Sequence, residues 1–322
     1  MKTQYNTHNA FTMIELVVVI VILGIVSSIG SEVIVNVYKN YILQRATHRA
    51  SLKTELAAQQ IANMLSYRIP GTTLARNPND LSDNRLVTDP TDKNDTTHVL
   101  LEWIGTDNDG FSAALPPPWN GFCDVAASSQ TTIKTPGSKL TNADTILKKL
   151  SGSSSSIDPA IFFKRSGSVW KYSYDSSSST IVEYEVLRSD GTGCLGMVTN
   201  DASCISTVSF TDDETLTFTG SAATSTNKVI TEHYKLAWTA YAIRPITNSR
   251  GLFDLELYYN YQPWDGGNLN GGWPSTHSTI ITNVSVFKFA ESGNTFRFKI
   301  CAQENIGEDY NITICKEKAV AL

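Results

Sequence analysis

Side chains able to act on a substrate are present in this chain but do not gather in sequence. The five histidines, His8, His48, His98, His233 and His277, each stand without a partner at metal-ligand spacing. No glycine-rich phosphate loop, Gly-x-Ser-x-Gly elbow or His-Glu-x-x-His pair occurs. Asp107-Asn108-Asp109-Gly110 has the beginning of a calcium loop but not the later ligands or the closing Glu, so it reads as a solvated turn. Asp212-Asp213-Glu214 reads as a charged loop. A polar cleft with perturbed ionisable groups has no candidate here. The expectation is a chain that is not an enzyme and carries no cofactor and no metal. One carboxylate differs from the rest. Glu15 is the only charge between Phe11 and Ile29. In hydrocarbon an unpaired carboxylate costs at least a few kcal/mol, so Glu15 needs a partner.

The surroundings of Glu15 decide what it can do. Residues 16–26 read Leu-Val-Val-Val-Ile-Val-Ile-Leu-Gly-Ile-Val, and the stretch from Phe11 to Ile29 approaches the roughly 20 residues of a bilayer-spanning helix. No comparable run follows in the 322 residues, of which 41% are hydrophobic and 18% charged. That composition supplies a real core and excludes a disordered or collagen-like chain. Charge is uneven. Lys39, Arg45, Arg49, Lys53 and Arg68 outweigh Glu32 and Glu55 in residues 31–70, so residues 71–322 hold more than the whole net charge of −5. An acidic head argues against nucleic acid as a partner. Basic residues on both sides of the span leave its orientation open.

A secretory signal has a small-residue cleavage site after a short apolar stretch. Here the small residue, Ala10, comes first and the apolar stretch is longer. Ala10-Phe11-Thr12-Met13-Ile14-Glu15-Leu16-Val17 resembles the N-terminal segment of type IV pilins and type II secretion pseudopilins. The resemblance implies cleavage between Ala10 and Phe11 by a prepilin peptidase, N-methylation of Phe11, and an assembly role for Glu15. That role is to neutralise the terminal amine of a neighbouring subunit, since two buried charges that pair are tolerated where one is not. The family usually has Gly before the cut, where this chain has Ala10. The implied partners are the peptidase, other pilin or pseudopilin subunits and an inner-membrane assembly platform. The implied location is the bacterial inner membrane, single-pass with a periplasmic head, or a surface filament after assembly. Three segments follow: a leader over 1–10, a helix over 11–70 (11–30 transmembrane, 31–70 an amphipathic stem), and an exported head over 71–322.

The fold class expected is α+β, a long N-terminal helix before a β-rich, pilin-like head. No Pro lies between Phe11 and Ile69, and Pro70-Gly71 is a stop. The helix should therefore run from Phe11 to Arg68, with Leu52, Leu56, Ile61 and Leu65 against the head and Gly24–Gly30 as a weak point. Residues 71–110 read as mostly irregular apart from a strand at Val99–Ile104. A helix is expected near Asn142–Leu150. Strands are expected at Ile161–Lys164, Val169–Tyr174, Ile181–Leu187, Thr207–Phe210, Thr215–Phe218, Val229–Ala242 and Leu255–Tyr261, with a closing hairpin of Val284–Phe289 and Thr295–Ile300.

All five Cys lie in the head. In an oxidising compartment five Cys allow several connectivities; the expectation is local pairing of Cys194 with Cys204 and of Cys301 with Cys315, with Cys123 free or exchanging. Trp264 and Trp273 flank a Gly-rich loop, read as packing on the sheet, with a contact surface as the alternative. Asn94 and Asn311 sit in Asp-x-Asn-x-Thr stretches that resemble the bacterial N-glycosylation acceptor. A head this bulky suits a minor subunit, at the tip or in initiation or secretion. Two readings stay open beside it: a binding module at a pilus tip, and a membrane-anchored periplasmic enzyme.

Overall fold

A computed structural model describes residues 12–87, 96–155, 157–163, 172–173, 205–220, 229–265, 273–292, 295–306 and 310–321. The chain begins with one uninterrupted helix, α1 (Met13–Ser66), about 80 Å long at 1.5 Å per residue. The weak point expected at Gly24–Gly30 does not break it. Then come β1 (Leu74–Asn77), β2 (Asp80–Leu86) and β3 (Leu100–Ile104). They are followed by α2 (Asn108–Ser112), β4 (Thr132–Lys134), α3 (Leu140–Ser151), β5 (Ala160–Phe163) and β6 (Tyr172–Ser173). After these lie β7 (Ser206–Asp212), β8 (Thr215–Thr219), β9 (Val229–Ile230) and β10 (Tyr234–Ala237). The chain closes with β11 (Ala240–Thr247), β12 (Phe253–Tyr261), β13 (His277–Ser292), β14 (Thr295–Ile306) and β15 (Tyr310–Ala321).

Two antiparallel sheets carry the head. The larger has the order β15-β14-β13-β12-β11-β3-β1-β2, the smaller β10-β5-β7-β8-β4. In the larger sheet β3 pairs directly with β11, so everything from α2 to β10 is an insertion between two neighbouring strands. The insertion leaves and rejoins the sheet side by side: Gly105 N–H donates to the Thr239 carbonyl at 3.4 Å, and Asp107 N–H to the Leu236 carbonyl at 2.7 Å. It is held against the sheet by a shared apolar layer that includes Leu100, Ile104, Tyr258, Tyr261 and Trp264 facing Ala160, Phe162 and Ile205. A separate core behind it gathers Trp119, Ile133, Leu140, Ile161, Val208, Leu216 and Leu236.

The opposite face of the larger sheet receives α1. Ala50, Thr54, Ala57, Ala58, Ile61 and Leu65 are the buried residues of the helix. They face a layer containing Phe287, Phe296, Phe298, Ile300 and Val320. This corrects the expected stripe. Ile61 and Leu65 are buried, but Leu52 and Leu56 are 50% and 69% exposed. The five-residue step from Leu56 to Ile61 turns the leucines well away from the inner face, and small residues at three- and four-residue spacing fill it instead. Polar clamps fix the register. Lys53 Nζ donates to the Thr282 hydroxyl at 2.7 Å, and Glu55 meets Lys316 and Lys318. Buried Arg68 donates to Glu291 at 3.0 Å and to the Leu65 carbonyl. The exposures predict unequal mutational costs. Ile61→Ala should lose about 3 kcal/mol, through lost burial and the cavity left behind. Leu56→Ala should change stability by less than about 0.5 kcal/mol. Chemical denaturation of the two variants checks this; equal losses would restore the leucine stripe.

Other expectations shift in instructive ways. The region 71–110 is not mostly irregular, because β1 and β2 form a hairpin there, with β1 also pairing β3. Val229–Ala242 is not one strand. Its residues divide among β9, β10 and β11, because the chain passes from one sheet to the other near Trp238 and Thr239. The short strand β4 was not expected. Only Tyr172–Ser173 of the expected strand Val169–Tyr174 is described, and Ile181–Leu187 lies outside the described residues. The helix near Asn142–Leu150 spans Leu140–Ser151, and the closing hairpin pairs Ser292 with Thr295 through Val284 with Ala302. The described part of the segment between Cys301 and Cys315 is strand throughout. It completes β14 and begins a further strand, β15, which pairs along its whole length with β14.

Candidate assembly surface

Of the assembly residues singled out in sequence, Glu15 lies at the start of α1. Ala10 and Phe11 lie outside the described residues. Thr12 is the N-cap, and Glu15 sits three residues later in the first turn. The first N–H groups of a helix lack intrahelical partners, and a Thr–Glu pair at this spacing supplies them reciprocally. Here Glu15 N–H donates to Thr12 Oγ1 at 3.4 Å, while Thr12 N–H and its hydroxyl both donate to Glu15 Oε2 at 2.9 Å. The carboxylate is thereby drawn back to the helix tip. Both bonds it accepts from Thr12 end on Oε2. They orient the group without neutralising it, so a buried environment still demands a cation.

Beyond this turn the helix offers a long apolar surface to something outside the chain. Met13, Ile14, Ile34 and Tyr38 are 89%, 73%, 70% and 64% exposed, and no described residue before Ala50 is fully buried. By length and composition the helix can cross a membrane. Large exposed apolar side chains continue past a bilayer's needs, through Val33, Val35, Val37, Tyr41 and Leu43. Met13 to Leu43 measures about 46 Å along the axis, against roughly 30 Å of hydrocarbon. The excess lies in the segment expected to be an amphipathic stem. A Cβ added at Gly24 or Gly30 would meet nothing within 4 Å, so neither glycine is required by packing inside this chain. Helix-interior glycines cost about 1 kcal/mol each, and between membrane helices they permit close approach.

The other residues singled out in sequence fall elsewhere. Cys301 is bridged to Cys315, and the two are register partners across β14 and β15. The bridge lies where the pairing of β13 with β14 ends and the hairpin continues as two strands. Two strands alone are marginal in water, and a closed loop of this size contributes about 3 kcal/mol. Cys194 and Cys204 lie outside the described residues. Cys123 is a free, buried thiol with Ser128 Oγ at 3.6 Å, and burial pushes its pKa up. Trp264 is buried and donates to the Asp158 carbonyl at 3.1 Å. Trp273 packs beneath Arg244, whose guanidinium carbon lies 3.8 Å from the ring centre. Both tryptophans therefore pack on the sheet. Asn311 is exposed on β15, and Asn94 lies outside the described residues.

The acidic stretches also resolve. Asp213 accepts from Thr141 and Lys139, which together hold its carboxyl below the usual range. Asp107 is not in a solvated turn. It is 2% exposed and caps α2. Among the described residues no group of three His, Cys, Asp or Glu is placed to hold a metal.

Residues 5–31 match the prokaryotic N-terminal methylation motif. The chain matches none of the curated proteins and none of the solved structures.

Proposed function

We propose that this chain is a structural minor subunit of a type IV pilus or type II secretion pseudopilus, not an enzyme. It is cut by a prepilin peptidase between Ala10 and Phe11, methylated at Phe11, and held in the inner membrane with its head in the periplasm until assembly. The observation that carries this reading is the apolar face of α1. It begins inside the methylation motif and stays exposed about 15 Å past a bilayer's thickness. Lipid covers the first part. Only other apolar helices can cover the rest, and those of like subunits have the matching length and chemistry. Glu15, oriented by Thr12, then neutralises the amine of a neighbour's first residue. The large head suits a position at the tip or in initiation, where it does not have to repeat along a shaft.

Mass spectrometry of the N-terminal peptide from membranes tests the reading. The expected chain begins at a methylated Phe11. A retained Met1 on the mature protein would leave a plain anchor and remove the basis for assembly.

A further inference from the structure

The closing strands present two faces of different chemistry. Side chains alternate along a strand. Phe287, Phe296, Phe298 and Val320 therefore turn into the core that α1 shares, and their neighbours turn away from it. Those neighbours are Lys288 and Ala290 on β13, Arg297 and Lys299 on β14, and Glu317 and Ala319 on β15, all exposed. Pairing concentrates their charge. Lys288 stands directly opposite Lys299, and Arg297, two residues before Lys299, stands opposite Ala290. Direct partners lie about 5 Å apart and diagonal ones about 7–8 Å, so three cations share one small area. Glu317, opposite Lys299 on the other side, is the single acid among these positions. Like charges directly opposite each other weaken a sheet, and an anion laid over them offsets that cost.

The source of that anion is narrowed by position and charge. Lys316 and Lys318, on either side of Glu317, hold Glu55 of α1. Glu55 is about 63 Å from Met13 along the helix, twice the roughly 30 Å of hydrocarbon, so the anchoring bilayer does not reach these cations. Nucleic acid is disfavoured by the acidic balance of residues 71–322. The stem of a second copy is excluded by sign, because residues 31–70 are net basic. An acidic protein segment is left.

Shape narrows it further. The three strands pair together from the level of Ser292, Thr295 and Ala321 to that of Val286, Cys301 and Cys315. Seven residues by three strands is a strip about 23 Å long and about 14 Å wide. The pairing of β13 with β12 ends at Val284, and β15 is the edge of the sheet, so no further strand widens the strip. A globular partner of standard interface size would bury about 800 Å², more than twice this area. A single helix, about 10–12 Å across, fits it. A lone strand laid on a sheet face would leave its own backbone groups unpaired, whereas a helix satisfies them internally. Carboxylates at i and i+4 of a helix stand about 6 Å apart, close to the step from Lys299 to Arg297.

We propose that the outer face of β13, β14 and β15 is a docking strip for a single acidic helix of another protein, its carboxylates set on Lys288, Arg297 and Lys299. The test uses the full chain in non-ionic detergent micelles and a fluorescein-labelled helical peptide with Glu pairs at i and i+4 in an alanine background. The peptide should bind at low salt and be released at high salt. Arg297→Glu with Lys299→Glu should weaken binding at least tenfold, and Arg45→Glu on the stem should leave it unchanged. No binding, an unweakened double variant, or an equal loss in Arg45→Glu would overturn the assignment. Amine acylation read by mass spectrometry needs no variant. The peptide should shield Lys288 and Lys299 but not Lys316 and Lys318, and unchanged reactivity of the first two would refute the strip. Equal affinity for single-stranded DNA, for anionic phospholipid vesicles, or for a proline-interrupted peptide of the same charge would overturn the acidic helix as its occupant.

Discussion

Glu102→Ala is expected to remove about 3–5 kcal/mol of folding free energy, although the residue lies far from the N-terminal motif. Glu102 on β3 and Arg76 on β1 are both fully buried and ion-paired. The carboxylate also accepts from the Tyr261 hydroxyl at 2.9 Å, and the guanidinium donates to the Leu81 carbonyl. Burial, and then the Glu102 charge, hold the Tyr261 phenol well above its ordinary pKa. Removing Glu102 strips the buried guanidinium of the carboxylate it is paired with and leaves the Tyr261 hydroxyl without its acceptor. Against a typical total of 5–15 kcal/mol, that loss approaches unfolding. Urea denaturation of the full chain measures it, and a loss below about 1 kcal/mol would show that the pair is not needed. Arg76→Met with Glu102→Leu should recover most of the loss, because an apolar pair of similar volume avoids the stranded charge.

The second large effect is expected in assembly. Glu15→Leu should leave the head folded, since the nearest covered part of α1 lies many turns away. It should lower incorporation into filaments at least tenfold, because the amine of a neighbouring subunit would then be buried unpaired. Such a loss is worth about 3–5 kcal/mol, and 1.4 kcal/mol already changes an equilibrium tenfold. Thr12→Ala separates charge from cap. It removes the two hydrogen bonds made by the Thr12 hydroxyl, at about 1 kcal/mol of helix stability, but keeps the carboxylate and the backbone N–H of residue 12 that donates to it. Incorporation should survive it. Immunoblots of sheared filaments against membranes read both variants, and full incorporation of Glu15→Leu would end the charge-pairing account.

The helix was legible because its causes are local: an unbroken apolar run, no Pro between Phe11 and Ile69, and Pro70-Gly71 as a stop; the Thr12–Glu15 cap that starts it at Met13 was not read. What else escaped had non-local causes. On β15 the positions facing α1 include Lys316 and Lys318, whose ammonium groups reach Glu55, so polarity hides a packed strand. The β1–β2 hairpin was masked in the same way by Arg76, an arginine at a fully buried position. On α1, hydrophobicity favoured Leu52 and Leu56, whereas the sheet selected Ala50, Thr54, Ala57 and Ala58, where a close approach leaves no room for leucine. The pairing of Ile104 with Ala240, which makes the middle of the head an insertion, has no local signature at all.

That insertion has a mechanical meaning. A pull applied along α1 enters the head through the contacts of the helix with β13, β14 and β15, and spreads from there through neighbouring strands. The insertion leaves and returns between β3 and β11, on the side of the sheet away from these closing strands in the strand order. Tension carried by the helix therefore reaches the closing strands first, and the Cys301–Cys315 bridge is set across them.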